Sequence, residues 1–187
     1  MKVLIIDNYD SFTYNLAHYA SIFVDRLDVL RSNLLDIKAI SYYDKIILSP
    51  GPGLPVEHPF LMEVIDKYHS KKPILGICLG HQAIAQYFKA KLENLSIVKH
   101  GVSSLIYNRK NCYVFNNLPE NFNVGHYHSW IVSKEKMPDS LHITSTNSEG
   151  IITSFTHKKF DLKGIQFHPE SILTDYGKLM MKNWIEH

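Results

Sequence analysis

A cysteine framed by glycines, Gly76-Ile77-Cys78-Leu79-Gly80, stands between an apolar run and a stretch of helical pattern (His81, Gln82, Ala83, Ile84, Ala85). With a thiol in place of a hydroxyl, G-x-C-x-G matches the nucleophile elbow, a tight strand-to-helix turn that lifts one side chain out of the fold. Side chains at positions 76 or 80 would crowd such a turn. At a helix N-terminus the dipole and the free amides favour thiolate over thiol, which makes Cys78 a candidate nucleophile. The plainer reading is a buried thiol acting as a small hydrophobe.

A nucleophilic cysteine needs a base to take its proton and a third group to orient that base. Gly164-Ile165-Gln166-Phe167-His168-Pro169-Glu170-Ser171 offers both. An apolar strand leads to His168, and Glu170 follows two residues on. In extended chain, positions i and i+2 lie on one side, so the imidazole and the carboxylate can point the same way. Pro169 between them stiffens the segment.

These residues need elements to position them. Val3 to Ile6 is a continuous apolar run, the pattern of a strand covered on both faces. It ends in the turn-rich Asp7-Asn8-Tyr9-Asp10-Ser11, and Phe12 to Phe23 reads as a helix. Leu27 to Leu30 and Lys45 to Leu48 read as strands, and Ile37 to Tyr43 as a short helix. Pro59 to Tyr68 has helical spacing, with proline where a first turn tolerates it. Ile74 to Cys78 is the strand into the elbow.

Past Lys89 the pattern turns to short strand-like pieces: Leu92, Ile97 to His100, Ser103 to Tyr107, Tyr113 to Phe115 and Val124 to His128. His142 to Thr146, Ile151 to Thr156 and Leu162 to Phe167 continue it, and Leu173 to Trp184 closes as a helix. Strands alternating with helices imply an α/β fold. We expect an open, mostly parallel sheet flanked by helices, with an additional smaller antiparallel β region, in a single domain over residues 1–187. The expected core includes Val3, Ile5, Ile46, Leu48, Ile74, Leu75, Ile77, Ile84 and Ile165.

Three loops then meet at the carboxyl edge of parallel strands, where open α/β sheets bind ligands. They are the Asp7–Ser11 patch, the Cys78 elbow and Ser49-Pro50-Gly51-Pro52-Gly53-Leu54-Pro55. Two glycines between prolines make the last a stiff loop whose backbone can approach a ligand. One of its amides, with the amide after the nucleophile, would form an oxyanion hole. A rigid loop without a ligand is the alternative.

Composition narrows the function. With 187 residues, 45% hydrophobic and 20% charged, the chain has the make-up of an ordinary globular protein that can bury a sizeable core. A net charge of +2 gives no electrostatic case for nucleic acid or an anionic membrane as partner. No stretch approaches the roughly 20 apolar residues of a membrane span, and the N-terminal run is too short for a signal peptide. The two cysteines, Cys78 and Cys112, suit a reducing cytoplasm if Cys78 is catalytic. His126-Tyr127-His128 has a metal-like spacing, but no second cluster completes a ligand set, so no metal and no cofactor is expected. His81 has no carboxylate neighbour and is read as packing within the elbow helix.

Cys78 in G-I-C-L-G-H-Q, S-P-G-P-G at 49–53 and F-H-P-E-S at 167–171 together resemble the triad-type (class I) glutamine amidotransferases, over essentially the whole chain. N-Y-D-S-F-T-Y-N at 8–15, Y-H-S at 127–129 and F-H-P-E-S-I-L-T at 167–174 look equally like the glutaminase components of anthranilate synthase and of aminodeoxychorismate synthase. The resemblance implies that Cys78 attacks the side-chain amide of glutamine, His168 acts as base and then acid, and Glu170 orients His168. Backbone amides of Gly51 and Leu79 would hold the oxyanion. Gly51, Pro52, Gly53, Gln82, Ser129 and Trp130 match glutamine-binding positions. Trp130 departs from the leucine common there. Ammonia would pass to a chorismate-utilising synthase subunit as partner. Asp10, Ser11 and Phe12 lie near the site or form a structural turn. A stand-alone γ-glutamyl hydrolase and a non-catalytic regulatory subunit are the competing readings, the last disfavoured by the presence of Cys78, His168 and Glu170.

Overall fold

The computed structural model describes residues 1–108 and 112–187. Its first half alternates strand and helix: β1 (Lys2–Asp7), α1 (Thr13–Ser21), β2 (Arg26–Arg31), β3 (Lys45–Leu48), α2 (Pro59–Tyr68), β4 (Ile74–Ile77) and α3 (Leu79–Tyr87). The second half is β5 (Leu92–Asn108), β6 (Asn121–Val132), β7 (Leu141–Asn147), β8 (Ile152–His157), β9 (Leu162–Ile165) and α4 (Gly177–Glu186). The strands form one sheet in the order β2-β1-β3-β4-β9-β8-β7-β5-β6. From β2 to β9 the neighbours are parallel, and from β9 to β6 antiparallel. The expected parallel sheet and antiparallel region are therefore two ends of one sheet.

Alternation along the central strands explains the layering. Val3, Ile5, Ile47, Leu75, Ile77 and Ile165 point to one face, where Leu16 and Ala20 of α1 and Met180, Met181 and Trp184 of α4 cover them. Leu4, Ile6, Ile46, Leu48 and Ile74 point to the other, beneath Leu61, Val64 and Ile65 of α2 and Ala83 and Ile84 of α3. Every residue of the expected core is at most 1% exposed. Burying each such aliphatic side chain contributes about 1.5–3 kcal/mol. No helix is long and apolar enough to cross a membrane among the described residues.

Two readings are corrected. Tyr113–Phe115 is a 3-10 turn rather than a strand. The Asn183 amide donates to the carbonyls of Val114 and Asn116, so the segment is tied to α4 instead of to a strand. The last helix begins at Gly177, not at Leu173. Thr174 is held away from it, since its hydroxyl donates to the His168 carbonyl (2.6 Å) and accepts the Gly125 N–H (2.9 Å). Tertiary bonds that brace His168 here outweigh helical propensity.

Helix α3 lies close over the sheet. A Cβ on Gly80 would stand 2.4 Å from the Leu48 carbonyl oxygen, and one on Gly76 2.4 Å from the Gly80 oxygen. Both obstacles are backbone and cannot swing aside. Three histidines are also buried. His81 packs on the Phe155 ring at 4.6 Å. His126 and His128 share a ring-to-ring hydrogen bond of 3.1 Å, and the second nitrogen of His126 meets the Ser104 hydroxyl at 2.7 Å. Ring nitrogens engaged in this way are not presented as a ligand pair. No group of three or more His, Cys, Asp or Glu could hold a metal ion among the described residues.

Burial pushes His81 down to about 3, and burial aided by nearby positive charge takes His126 to about 4 and His128 to about 3. The unfolded chain protonates these rings below about pH 6.5, whereas the folded chain refuses the protons. Across that window the unfolded state binds more protons, so stability falls as pH falls. Between pH 6.5 and 5 the loss is about 2 kcal/mol for each ring, from 1.36 kcal/mol per unit.

Two outcomes follow for stability. Gly80→Ala is expected to lower the free energy of unfolding by about 1–3 kcal/mol, measured by urea denaturation; an unchanged midpoint contradicts the close approach. Urea unfolding at pH 7 and pH 5 should show the acid loss, and His81→Phe should make it smaller by about 2 kcal/mol. A loss equal to that of the parent chain would mean His81 titrates normally.

Candidate active site

Strand β4 ends at Ile77, α3 starts at Leu79, and the whole reversal is made by Cys78 at φ 50°, ψ −98°. A non-glycine residue there is strained by roughly 1–3 kcal/mol, a cost that clusters at functional sites. The strain is held by the Cys78 N–H bonded to the Ile165 carbonyl (2.8 Å) and by the Gln82 N–H bonded to the Cys78 carbonyl (3.0 Å). As the first helical residue, Leu79 has an N–H with no intrahelical acceptor. The turn is the elbow expected from the glycine spacing.

The parallel register sets Ile165 beside Ile77, so the residues after β9 arrive next to the elbow. His168 and Glu170 are 2% and 4% exposed. His168 Nδ1 and Glu170 Oε1 are 2.7 Å apart, a charge-assisted bond when the ring is protonated. Burial opposes charge on His168, but hydrogen bonding and negative charge from Cys78 and Glu170 prevail and hold its pKa well above the usual histidine range. Cys78 and His168 line one cavity together. Phe12 and Tyr127 set their rings edgewise to His168 at 6.2 and 5.0 Å, which limits its tilt.

Two cavities meet at Cys78. The first, about 230 Å³, is lined by Gly51, Pro52, Gly53, Cys78, Leu79, Gln82, Ser129 and Trp130, together with Val98, His100, Tyr127 and His128. Every binding residue expected from the resemblance is on this wall. Drug-sized ligands occupy roughly 300–1,000 Å³, so this cavity suits something of amino-acid size. The second, about 290 Å³, holds Cys78, His168, Asp10, Ser11 and Phe12. Asp10 accepts the Phe12 N–H (2.8 Å), and Asp7 accepts the Thr13 hydroxyl (2.9 Å). The 7–12 loop is therefore a built turn at the head of α1 that also faces the site. Burial raises the Asp10 pKa, and the nearby His168 opposes that rise.

The Ser49–Pro55 loop is fixed from β1. The Ser49 hydroxyl accepts the Asn8 N–H (2.9 Å), and the Asn8 amide donates to the Ser49 carbonyl (3.1 Å). A Cβ on Gly51 would lie 2.7 Å from the Asn8 carbonyl oxygen, so the backbone itself faces the cavity. Trp130 contributes its carbonyl, which accepts from the Gln82 amide at 2.9 Å; that bond is indifferent to the exchange of leucine for tryptophan. Sequence reasoning left out Gln166, whose amide donates to Cys78 Sγ at 3.6 Å. Its signal was a polar residue at the end of an apolar strand, on the side shared by 168 and 170. Tyr127 was quoted within Y-H-S but not placed against His168.

Comparison with known proteins agrees with this geometry. Residues 4–187 match the family Glutamine amidotransferase class-I. The chain is 42% identical over 188 residues to an anthranilate synthase component 2 of Pyropia yezoensis, covering 99% of each. It is 40% identical over 188 residues to the aminodeoxychorismate synthase component 2 of Escherichia coli (98% of each). It is 39% identical over 186 residues to the aminodeoxychorismate/anthranilate synthase component 2 of Bacillus subtilis (98% of this chain, 95% of the relative). A solved glutamine amidotransferase of Thermotoga maritima superposes with a TM-score of 0.70 at 21% identity, over 100% of this chain and 81% of that one, and shows the fold alone. A cysteine in a strained elbow, a buried histidine–carboxylate pair beside it and full-length similarity to such relatives lead to one assignment: the chain belongs to the class-I glutamine amidotransferases.

Proposed function

We propose that this chain is the glutaminase subunit of a chorismate-aminating synthase, hydrolysing L-glutamine and handing the ammonia to a partner subunit. The observation that carries the reading is the Cys78 elbow, which lines a cavity of amino-acid size and shares a second cavity with His168, itself bonded to Glu170. Three curated relatives near 40% identity are named as component 2 of anthranilate or aminodeoxychorismate synthases, which supports a component 1 as partner.

The chemistry runs through this chain's own residues. His168 takes the thiol proton, and the Cys78 sulfur bonds to the side-chain amide carbon of glutamine. The carbonyl oxygen becomes an oxyanion held by the Gly51 and Leu79 amides. The C–N bond then breaks, and His168 returns its proton to the leaving nitrogen, releasing ammonia and leaving a thioester on Cys78. Water, deprotonated by His168, cleaves the thioester to glutamate and restores the thiol. Glu170 keeps the ring oriented and stabilises its charged form. No cofactor is called for in these steps.

Ammonia needs shelter from water on its way out. The second cavity leaves Cys78 on the side of His168 and Phe12. Val98 lines the first cavity and Tyr9 the second, exposed by 60% and 49%. Apolar side chains gathered at a catalytic mouth fit a covering protein surface. A reducing cytoplasm suits the two free thiols.

Assayed with its synthase partner, Cys78→Ala should lose glutamine-dependent product formation yet keep product formation from added ammonium. Persistent use of glutamine by that variant would remove Cys78 from the mechanism. His168→Ala should cost more in kcat than Glu170→Gln, by on the order of 10–100-fold, since the base is needed more than its orienting group. Equal losses would contradict this division.

A further inference from the structure

Gln166 is fully buried immediately after β9, and the register that pairs Ile165 with Ile77 sets it beside Cys78. Its main-chain N–H bonds the Thr153 carbonyl at 2.9 Å, which leaves the side-chain amide to find its own partners. A buried amide left unpaired is costly. Nε2 of Gln166 donates to Cys78 Sγ at 3.6 Å, and its Oε1 accepts from Gln82 Nε2 at 3.3 Å. The same Gln82 nitrogen donates to the Trp130 carbonyl at 2.9 Å.

The direction of this chain is not free. A main-chain carbonyl only accepts, so Gln82 must turn its NH2 toward Trp130. The second hydrogen of that NH2 then points at Gln166, which must answer with its oxygen. The Gln166 NH2 is left for the sulfur. Reversing either amide would set donor against donor or acceptor against acceptor.

We propose that Gln166 is a positioning residue that holds the Cys78 sulfur as a hydrogen-bond acceptor, at the end of an amide chain whose direction the Trp130 carbonyl sets. The inference rests on Cys78 being the nucleophile. A thiolate accepts better than a thiol, because a hydrogen bond to a charged group is the stronger one. Gln166 therefore favours the reactive form and fixes where it points. Both Gln82 hydrogens are spent within the protein, which leaves that residue only its oxygen to offer a ligand.

Alkylation by iodoacetamide tests this without glutamine, because it follows the thiolate. Modification of residue 78 is read by peptide mass across pH in the full chain carrying Gln166→Met or Gln166→Glu. Met removes both ends of the amide; Glu keeps the oxygen facing Gln82 and removes the N–H. The midpoint of alkylation should rise by about one pH unit, the shift matching a tenfold loss of thiolate near neutral pH. With the synthase partner, kcat for glutamine should fall about tenfold in both, while KM rises only for Met, which frees Gln82. An unshifted alkylation midpoint overturns the proposal even if kcat falls. Absence of folded protein in both variants overturns it too, giving Gln166 a purely structural part. If Cys78→Ala still uses glutamine while the midpoint shifts, the nucleophile assignment fails and the amide–sulfur bond stands.

Discussion

The parallel pairing of β4 with β9 is the constraint from which the site follows. Ile74 to Ile77 lie beside Leu162 to Ile165 in strict register. The chain reaches Cys78 along one strand and Gln166, His168 and Glu170 along the next. Main-chain bonds carry this placement past the strand ends, with the Cys78 N–H on the Ile165 carbonyl and the His168 N–H on the Gly125 carbonyl. A slip of one residue would turn every side chain of β9 to the opposite face. Ile165 would leave the α1–α4 side of the core, and the histidine would face away from the sulfur. Selection for a well-packed core and selection for catalytic geometry therefore act on the same register.

Holding a charged pair in the interior is expensive, and desolvation can exceed the attraction between the partners. The fold accepts this cost where it has a use. Glu170 is buried against the His168 ring, and the rings of Phe12 and Tyr127 stand edgewise to that ring. Elsewhere the opposite rule holds. His81, His126 and His128 are also buried but hydrogen-bond to no carboxylate among the described residues, and burial, aided at His126 and His128 by nearby positive charge, keeps them neutral. His168 differs from them in having a carboxylate within hydrogen-bonding reach.

The parallel half was legible because its strands are covered on both faces and so read as continuous apolar runs. Lys45–Leu48 and Pro59–Tyr68 have the boundaries that the pattern implies. The elbow was legible for a different reason: glycines at 76 and 80 are required by backbone contacts that leave no room for a side chain. The antiparallel half was legible only in pieces. β5 runs unbroken from Leu92 to Asn108 through bulges near Asn94–Lys99 and His100–Val102, and such irregularities erase the alternation that marks a strand. Tyr113–Phe115 and Leu173–Tyr176 were misread because long-range hydrogen bonds decide them. Gln166 shares a side with His168 and Glu170, but its role escaped because its two side-chain bonds reach Gln82 and Cys78, both distant in sequence.

The two halves of the sheet divide the work unequally. Cys78 and the glycine loop stand on short parallel strands packed from both sides, where displacement is resisted by the whole core. Ser129 and Trp130 belong to β6, the edge strand, which is paired through its length with β5 alone. That ribbon carries exposed Ile97, Val98 and Val102 and is the less constrained wall of the cavity. Trp130 reaches Gln82, Gln82 reaches Gln166, and Gln166 reaches the sulfur, each by one hydrogen bond. The position of the edge ribbon therefore bears on the Cys78 sulfur directly, and a protein surface laid on it presses on a wall that is hydrogen-bonded through to Cys78.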